Sequence, residues 1–377
     1  MLKIHIYLIM KTTKTNVTQI TNKNKPYNAG IDLLRIVAQF YIVFQHALWQ
    51  GGVLPNIQPG RHAYSILWAL QIWAQCAVDI FIIISGYMSV DKEENRIDWI
   101  KLILLWLEVV FYNVLGFLLY KLIQGDTFTF KELLDRFFPV YFTAYWFFSV
   151  YFAFSLIEPI LRAGIQHIDQ NHQKTFFFSI FLVFCCYSLF YDGFVLNNGY
   201  SVIWFVILFI LGATAKKCEF AEHLSILKIV LLALVLEFIS WFWKIKGINF
   251  HINYTQFTED SLLRYTSPTI TLIALLHVLA FSKLQFSDLF TKIIRFAAPS
   301  AFAVYLLNTQ PFYWHYVLSN KFISLSDKYI SILLPRIFLY TLLFVIAAIL
   351  IDKIRQLLFK KLKIKEKLTG MIDKDRV

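Results

Sequence analysis

The sequence predicts an all-α polytopic integral membrane protein, with about ten transmembrane helices and both termini in the cytoplasm. Three observations carry that prediction. Apolar residues make up 58% of the 377 positions and charged residues only 16%, too little polar surface for a soluble chain of this length. Ten apolar segments approach the 20 or so residues that a helix needs to cross a bilayer. Lys and Arg fall unevenly on alternate connecting segments, as they do in multi-pass membrane proteins.

The segments run roughly over 30–49, 66–89, 99–121, 140–162, 175–191, 199–215, 225–244, 265–283, 296–317 and 330–352. Glu108 alone interrupts the third. The fourth and ninth contain proline, which spanning helices tolerate when neighbours satisfy the freed backbone. With the N-terminus inside, inward segments carry 25 Lys and Arg and outward ones 10. The same bias accounts for the net charge of +12, so nucleic acid is not expected as a partner.

The chain divides into a basic arm (1–29), a membrane domain (30–352) and a basic tail (353–377). The tail stretch "FKKLKIKEK" anchors the last helix or lies on anionic inner-leaflet lipids. The opening "MLKIHIYLIM" lacks a signal-peptide cleavage pattern, and Met10 is an alternative start. The four cysteines have no metal-type or paired spacing, so isolated thiols and no metal site are expected.

The first apolar segment poses the functional question. "LLRIVAQFYIVFQHA" (33–47) holds Arg35 and His46. Eleven helical positions turn through three turns to within roughly 20° of the start and rise by roughly 16 Å. Both side chains therefore leave one face, Arg35 near the inner surface and His46 deeper, toward the outer half. Ionisable groups at membrane depth face the bundle interior and mark a site or pathway.

An arginine followed after ten residues by histidine in the first helix resembles acyltransferase family 3, membrane proteins that acylate cell-surface glycans and lipids. Further stretches resemble the same family in order: "AVDIFIIISGYM" (77–88), "YWFFSVYFAFSLIEPIL" (145–161), "VIWFVILFILGATAKK" (202–217) and "SAFAVYLLNTQPF" (300–312). The resemblance runs from about residue 30 to 350. Two departures stand out. Asn308 occupies a position where the family often has histidine, and "ENRIDWIK" offers only Arg96 and Lys101 where the family often enters its third helix with more arginines.

The resemblance implies transfer of an acyl group, acetyl foremost, from cytoplasmic acyl-CoA to a hydroxyl of a cell-envelope polysaccharide or lipid-linked sugar in the bacterial cytoplasmic membrane. Such a reaction needs a base for the hydroxyl proton, and imidazole titrates in the right range. His46 is that candidate. Asp79 is the candidate partner, paired with either His46 or Arg35. Arg35 suits donor phosphate or the developing acyl oxyanion. Arg96 and Lys101 add to a phosphate-binding rim or are ordinary inside-loop charges. Tyr145, Trp146 and Trp204 line a sugar site or belong to the interfacial aromatic belt. Asn308 hydrogen-bonds the glycan or ties helices together. Ser85 and Gly86 read as a close helix contact, and Glu158 as an interfacial carboxylate. With outward loops this short, the chain completes the transfer itself or hands the group to a separate extracytoplasmic acyltransferase. The alternative class, an exporter or flippase of a surface polysaccharide, predicts inverted repeats and matched broken helices, which the sequence does not show.

Overall fold

The computed structural model describes residues 27–142, 145–252 and 255–374. Most of the basic arm, and with it the alternative start at Met10, lies outside them. The fold is helical throughout, apart from a hairpin of two three-residue strands, β1 (Phe250–Ile252) and β2 (Thr255–Phe257). The chain is a multi-pass membrane protein.

Helix α1 (Ala29–Trp49) occupies the centre. Asn28 starts it, its side-chain oxygen accepting from Ile31 N–H at 3.0 Å. A turn at Gly51–Gly52, with Gly52 at φ +84°, ends it. Around α1 pack α2 (His62–Gln75), α3 (Ala77–Ser89), α9 (Pro268–Ser282), α11 (Ala301–Asn308) and α12 (Ile330–Lys361). Helices α2 and α3 form one apolar rod broken at Cys76. Helix α10 (Asp288–Ala297) also meets α1; further out lie α4 (Trp99–Gln124), α5 (Trp146–His167), α6 (Gln170–Phe181), α7 (Val202–Lys217) and α8 (Ile226–Lys246), and α13 (Ile364–Lys374) follows α12.

Eight stretches are long and apolar enough to cross a membrane: Ala29–Trp49, Ala63–Ser89, Trp99–Gln124, Trp146–His167, Ile226–Lys246, Ser261–Ser282, Asp288–Asn308 and Ile330–Lys361. The difference from ten lies in the fifth and sixth expected segments. The fifth is α6, which loosens at its end into a π turn (Leu182–Cys186). The sixth is α7, whose 16 residues rise about 24 Å, short of a hydrocarbon core of about 30 Å. The ninth expected segment is also displaced: helix ends at Asn308, ahead of Pro311.

Helix α7 is nevertheless the most deeply packed outer element, with Trp204, Phe205, Leu208, Phe209 and Leu211 fully buried. Its closest neighbour is α3. A side chain on Gly86 would strike the Phe209 carbonyl, and one on Gly212 would strike that of Ile83. These glycines set the distance between the two backbones, as small residues do where apolar solvent gives helices no hydrophobic reason to associate. Ser85 serves the same contact region, its hydroxyl donating back to Phe81 C=O. The outward faces are apolar instead of polar, with Leu231, Leu234, Val235 and Phe238 on α8 and Leu339, Leu343, Ile346 and Leu350 on α12 exposed.

The bundle has two distinct ends. At one, Asn28 donates to Ser282 C=O, Gln166 to the Val90 and Lys92 carbonyls, and Lys217 to those of Ile165 and Gln166. This end gathers the start of α1 and the ends of α3, α5, α7 and α9, and Arg35 lies toward it. At the opposite end, Asn320 and Phe322 N–H groups donate to Gln50 and Gly51, Trp241 donates to Ser65 C=O, and Lys244 is clamped by Glu259 and Asp260 at 2.8 Å each. His46 lies toward this second end.

Candidate functional site

His46 projects from the last third of α1 into the space between α11, α12 and the turn after α11. Its Nδ1 lies 2.5 Å from Asn308 Oδ1. An amide oxygen only accepts, so Nδ1–H donates, and the unprotonated lone pair sits on Nε2. Asn308 is fully buried at the last position of α11. Thr309 then leaves the helix, and the chain re-coils as a π turn (Tyr313–Leu318). That turn sets Trp314 edge-on to the imidazole at 4.7 Å between ring centroids. Gln50 donates to Trp314 C=O at 3.3 Å, and the Tyr313 and Tyr340 hydroxyls bond each other. The imidazole is thus held by an amide on one edge and an indole on another, and it keeps partial exposure.

Asp79 does not fill the place expected for it. Its Oδ1 accepts from Trp204 Nε1 at 3.1 Å, while His46 is bonded to Asn308 and Arg35 to Asp32. The reason is the α3–α7 contact: α3 turns Asp79 toward α7, away from the polar face of α1. Trp204 is correspondingly not a free aromatic face for a sugar, being fully buried with its N–H committed to Asp79. Asn308, read as a glycan contact or a helix tie, does tie helices: it bonds His46 and so joins α11 to α1. The sequence held one hint, its replacement of a family histidine, but the contact joins residues 262 positions apart.

Arg35 is about one-third exposed and ion-paired with Asp32, one turn back toward the start of α1. Arg96 pairs with Glu94 in the exposed connection between α3 and α4, and Lys101 is exposed in the first turn of α4, which Asp98 caps. This connection is built, not loose. Arg162, 2% exposed, donates to Asn95 Oδ1, Glu94 C=O and Glu158 Oε1 at 2.6–2.8 Å. Glu158, expected as an interfacial carboxylate, is therefore the counter-ion that lets Arg162 pin this connection. Lys92, passed over in the sequence, belongs to the same group of charges. Burial pulls its ammonium below the usual range; Glu158 opposes that, and Lys101 and Arg162 add to it.

A second buried charge cluster also escaped the sequence reading. Asp352 on α12 accepts from Arg355 Nε at 2.6 Å, the Tyr112 hydroxyl at 2.8 Å and Gln356 Nε2 at 2.6 Å, and Arg355 reaches Glu108 at 3.3 Å. It ties α12 to α4 toward the Arg35 end. Tyr145 caps the start of α5 and is buried, and Trp146 follows half-buried against Tyr200, 4.4 Å between ring centroids.

The central helix of this multi-pass bundle thus carries an arginine toward one end and an amide-held histidine toward the other. The chain belongs to the acyltransferase domain family, whose model matches residues 28–353. It is accordingly an O-acyltransferase-type enzyme. No curated protein and no solved structure matches it.

Proposed function

We propose that the chain moves an acyl group, acetyl foremost, from a cytoplasmic acyl-CoA to a hydroxyl of a cell-envelope polysaccharide or lipid-linked sugar in a bacterial cytoplasmic membrane. The observation that carries this reading is the His46–Asn308 contact. With Nδ1–H donating to Asn308, His46 Nε2 is left as a base. It takes the acceptor hydroxyl proton while that oxygen bonds the thioester carbonyl carbon. The C–S bond then breaks, and the proton passes to the leaving thiolate, giving ester and free CoA. Asn308 keeps the ring in the productive tautomer, a task a carboxylate performs in other base assemblies.

The sides follow from charge. The excess of Lys and Arg on the Arg35 end supports a cytoplasmic assignment there, where acyl-CoA is made. Arg35, Lys92, Arg96 and Lys101 then offer cations to the donor's phosphates. The long, narrow pantetheine arm carries the thioester toward His46, roughly 16 Å along α1.

The test is the O-acyl content of purified envelope glycans, read by proton NMR before and after mild alkali. A deletion strain would carry wild type or His46→Ala at matched membrane levels. Restoration of an alkali-labile ester by wild type and its loss in His46→Ala is the expected result. An ester content that never responds, with a changed amount of surface glycan, would refute acyl transfer in favour of export.

A further inference from the structure

Between His46 and mid-bundle lies a group of polar atoms that the protein itself satisfies poorly. Among the described residues, Asp79 Oδ2 and the Tyr145 hydroxyl are buried without a hydrogen-bond partner, and the Tyr305 hydroxyl and Asn308 Nδ2 have no well-formed bond, only the Phe147 backbone and Thr309 side chain beside the first and the Tyr313 side chain beside the second. An unsatisfied buried polar atom costs about 1–3 kcal/mol in a folded chain, so this group calls for a polar occupant. The residues are neighbours in space. The Tyr145 and Tyr305 rings lie 6.1 Å apart, Tyr200 and Tyr265 5.6 Å apart, and Tyr265 is within electrostatic range of Asp79, Tyr200 and Tyr305. Tyr305 and Asn308 are three residues apart on α11 and share a face, which leads directly to His46.

The location indicates which substrate this occupant is. Tyr145, Tyr200 and Tyr265 stand just before the first turns of α5, α7 and α9, at the ends away from Arg35. Tyr200 is 45% exposed and forms the outer edge. The loop before it is built for its shape: the Asp192 carboxylate accepts from Leu196 and Asn197 N–H groups at 2.7 Å each, and Val195, Asn197 and Asn198 all take positive φ. Aromatic rings interleaved with hydroxyl and carboxyl groups match a sugar, whose ring presents apolar C–H faces and a rim of hydroxyls.

We infer that Tyr145, Tyr200, Tyr265, Tyr305 and Asp79 seat a sugar ring of the acceptor beside His46. This rests on the acyl-transfer reading and names its acceptor as a carbohydrate bound from the His46 end. Asp79 thereby acquires a role in binding, with Trp204 fixing its carboxylate.

The experiment uses the purified full-length chain in nanodiscs, radiolabelled acetyl-CoA and envelope glycan freed of esters by mild alkali. Both concentrations are varied for wild type, Tyr305→Phe and Asp79→Asn, with Tyr265→Phe in reserve should Asp79→Asn fail to fold. Loss of one bond to the sugar should raise the KM for glycan about tenfold and leave that for acetyl-CoA unchanged. A raised KM for acetyl-CoA alone would make the group a donor channel and overturn the inference, as would no change in either constant. Tryptophan fluorescence titrated with the same glycan separates this inference from the parent reading. Wild type that binds glycan without transferring acyl groups, with weaker binding in the variants, would end the transferase reading and keep the sugar seat. Equal glycan binding by wild type and variants would end the seat alone.

Discussion

At the scale of residues, the proposed chemistry rests on an amide where a carboxylate was expected. A neutral partner orients imidazole but stabilises the imidazolium formed during proton transfer less than a charge would. Asn308→Leu is close in volume, removes the acceptor and frees the tautomer, so acyl transfer should fall by about 10²–10⁴-fold, the usual worth of a general base. Asn308→Asp keeps an acceptor against Nδ1 and should retain far more activity, with the acid limb of its pH–rate profile moved to higher pH because the ionised carboxylate favours the imidazolium. Initial rates of label transfer across pH, at matched protein levels, check both. Equal loss in the two variants would mean that Asn308 serves packing. The Arg35–His46 pair was legible because helix periodicity places both on one face whatever surrounds them. Asn308 was not, because nothing local in "YLLNTQ" shows which helix its amide will meet.

At the scale of elements, helix pairs in this bundle are fastened in two ways, by glycine contacts and by buried ions. Where α3 meets α7, Gly86 and Gly212 admit backbone against backbone. The reading of Ser85–Gly86 as a close contact held because small residues in an apolar helix have one main use. Where α12 meets α4, Arg355 stands between Glu108 and Asp352, all three under 9% exposed. The sequence showed Glu108 only as an interruption, since its partner lies on the last long helix. Arg355→Ala would leave two carboxylates buried without their cation and should cost about 3–5 kcal/mol. Glu108→Gln leaves the Asp352–Arg355 pair intact and should cost much less. Thermal unfolding of the detergent-solubilised variants checks the order; a Glu108→Gln loss as large as that of Arg355→Ala would show that Glu108, not Asp352, is the main counter-ion.

At the scale of the whole molecule, orientation decides which substrate meets which end, and the proposed orientation rests on charge. The family match fixes the acyltransferase, while the ends are distinguished by what they carry: Lys92, Arg96 and Lys101 beside the start of α4, against the clamp of Lys244 by Glu259 and Asp260 at the other. The ten-segment reading and the eight long helices differ by α6 and α7 together, so removing or adding that pair leaves every later helix in the same sense. The overall plan was therefore legible even where the count was not: hydropathy reports apolar length, but α7 begins only at Val202, capped by Ser201 after the Asn197–Gly199 turn, which apolar length alone does not show. Single cysteines placed in a variant lacking the four native ones, at Lys92, Asn56, Asn198 and Asp327, should report this in intact cells. A membrane-impermeant maleimide should label positions 56, 198 and 327 and spare 92 until the cells are opened. Labelling at 92 and protection of 56 and 327 would invert the molecule, placing His46 toward the cytoplasm and Arg35 away from acyl-CoA. Protection of 198 alone would place the α6–α7 connection out of reach of the outer solution, and the sugar seat that Tyr200 borders would then have to be entered from within the membrane.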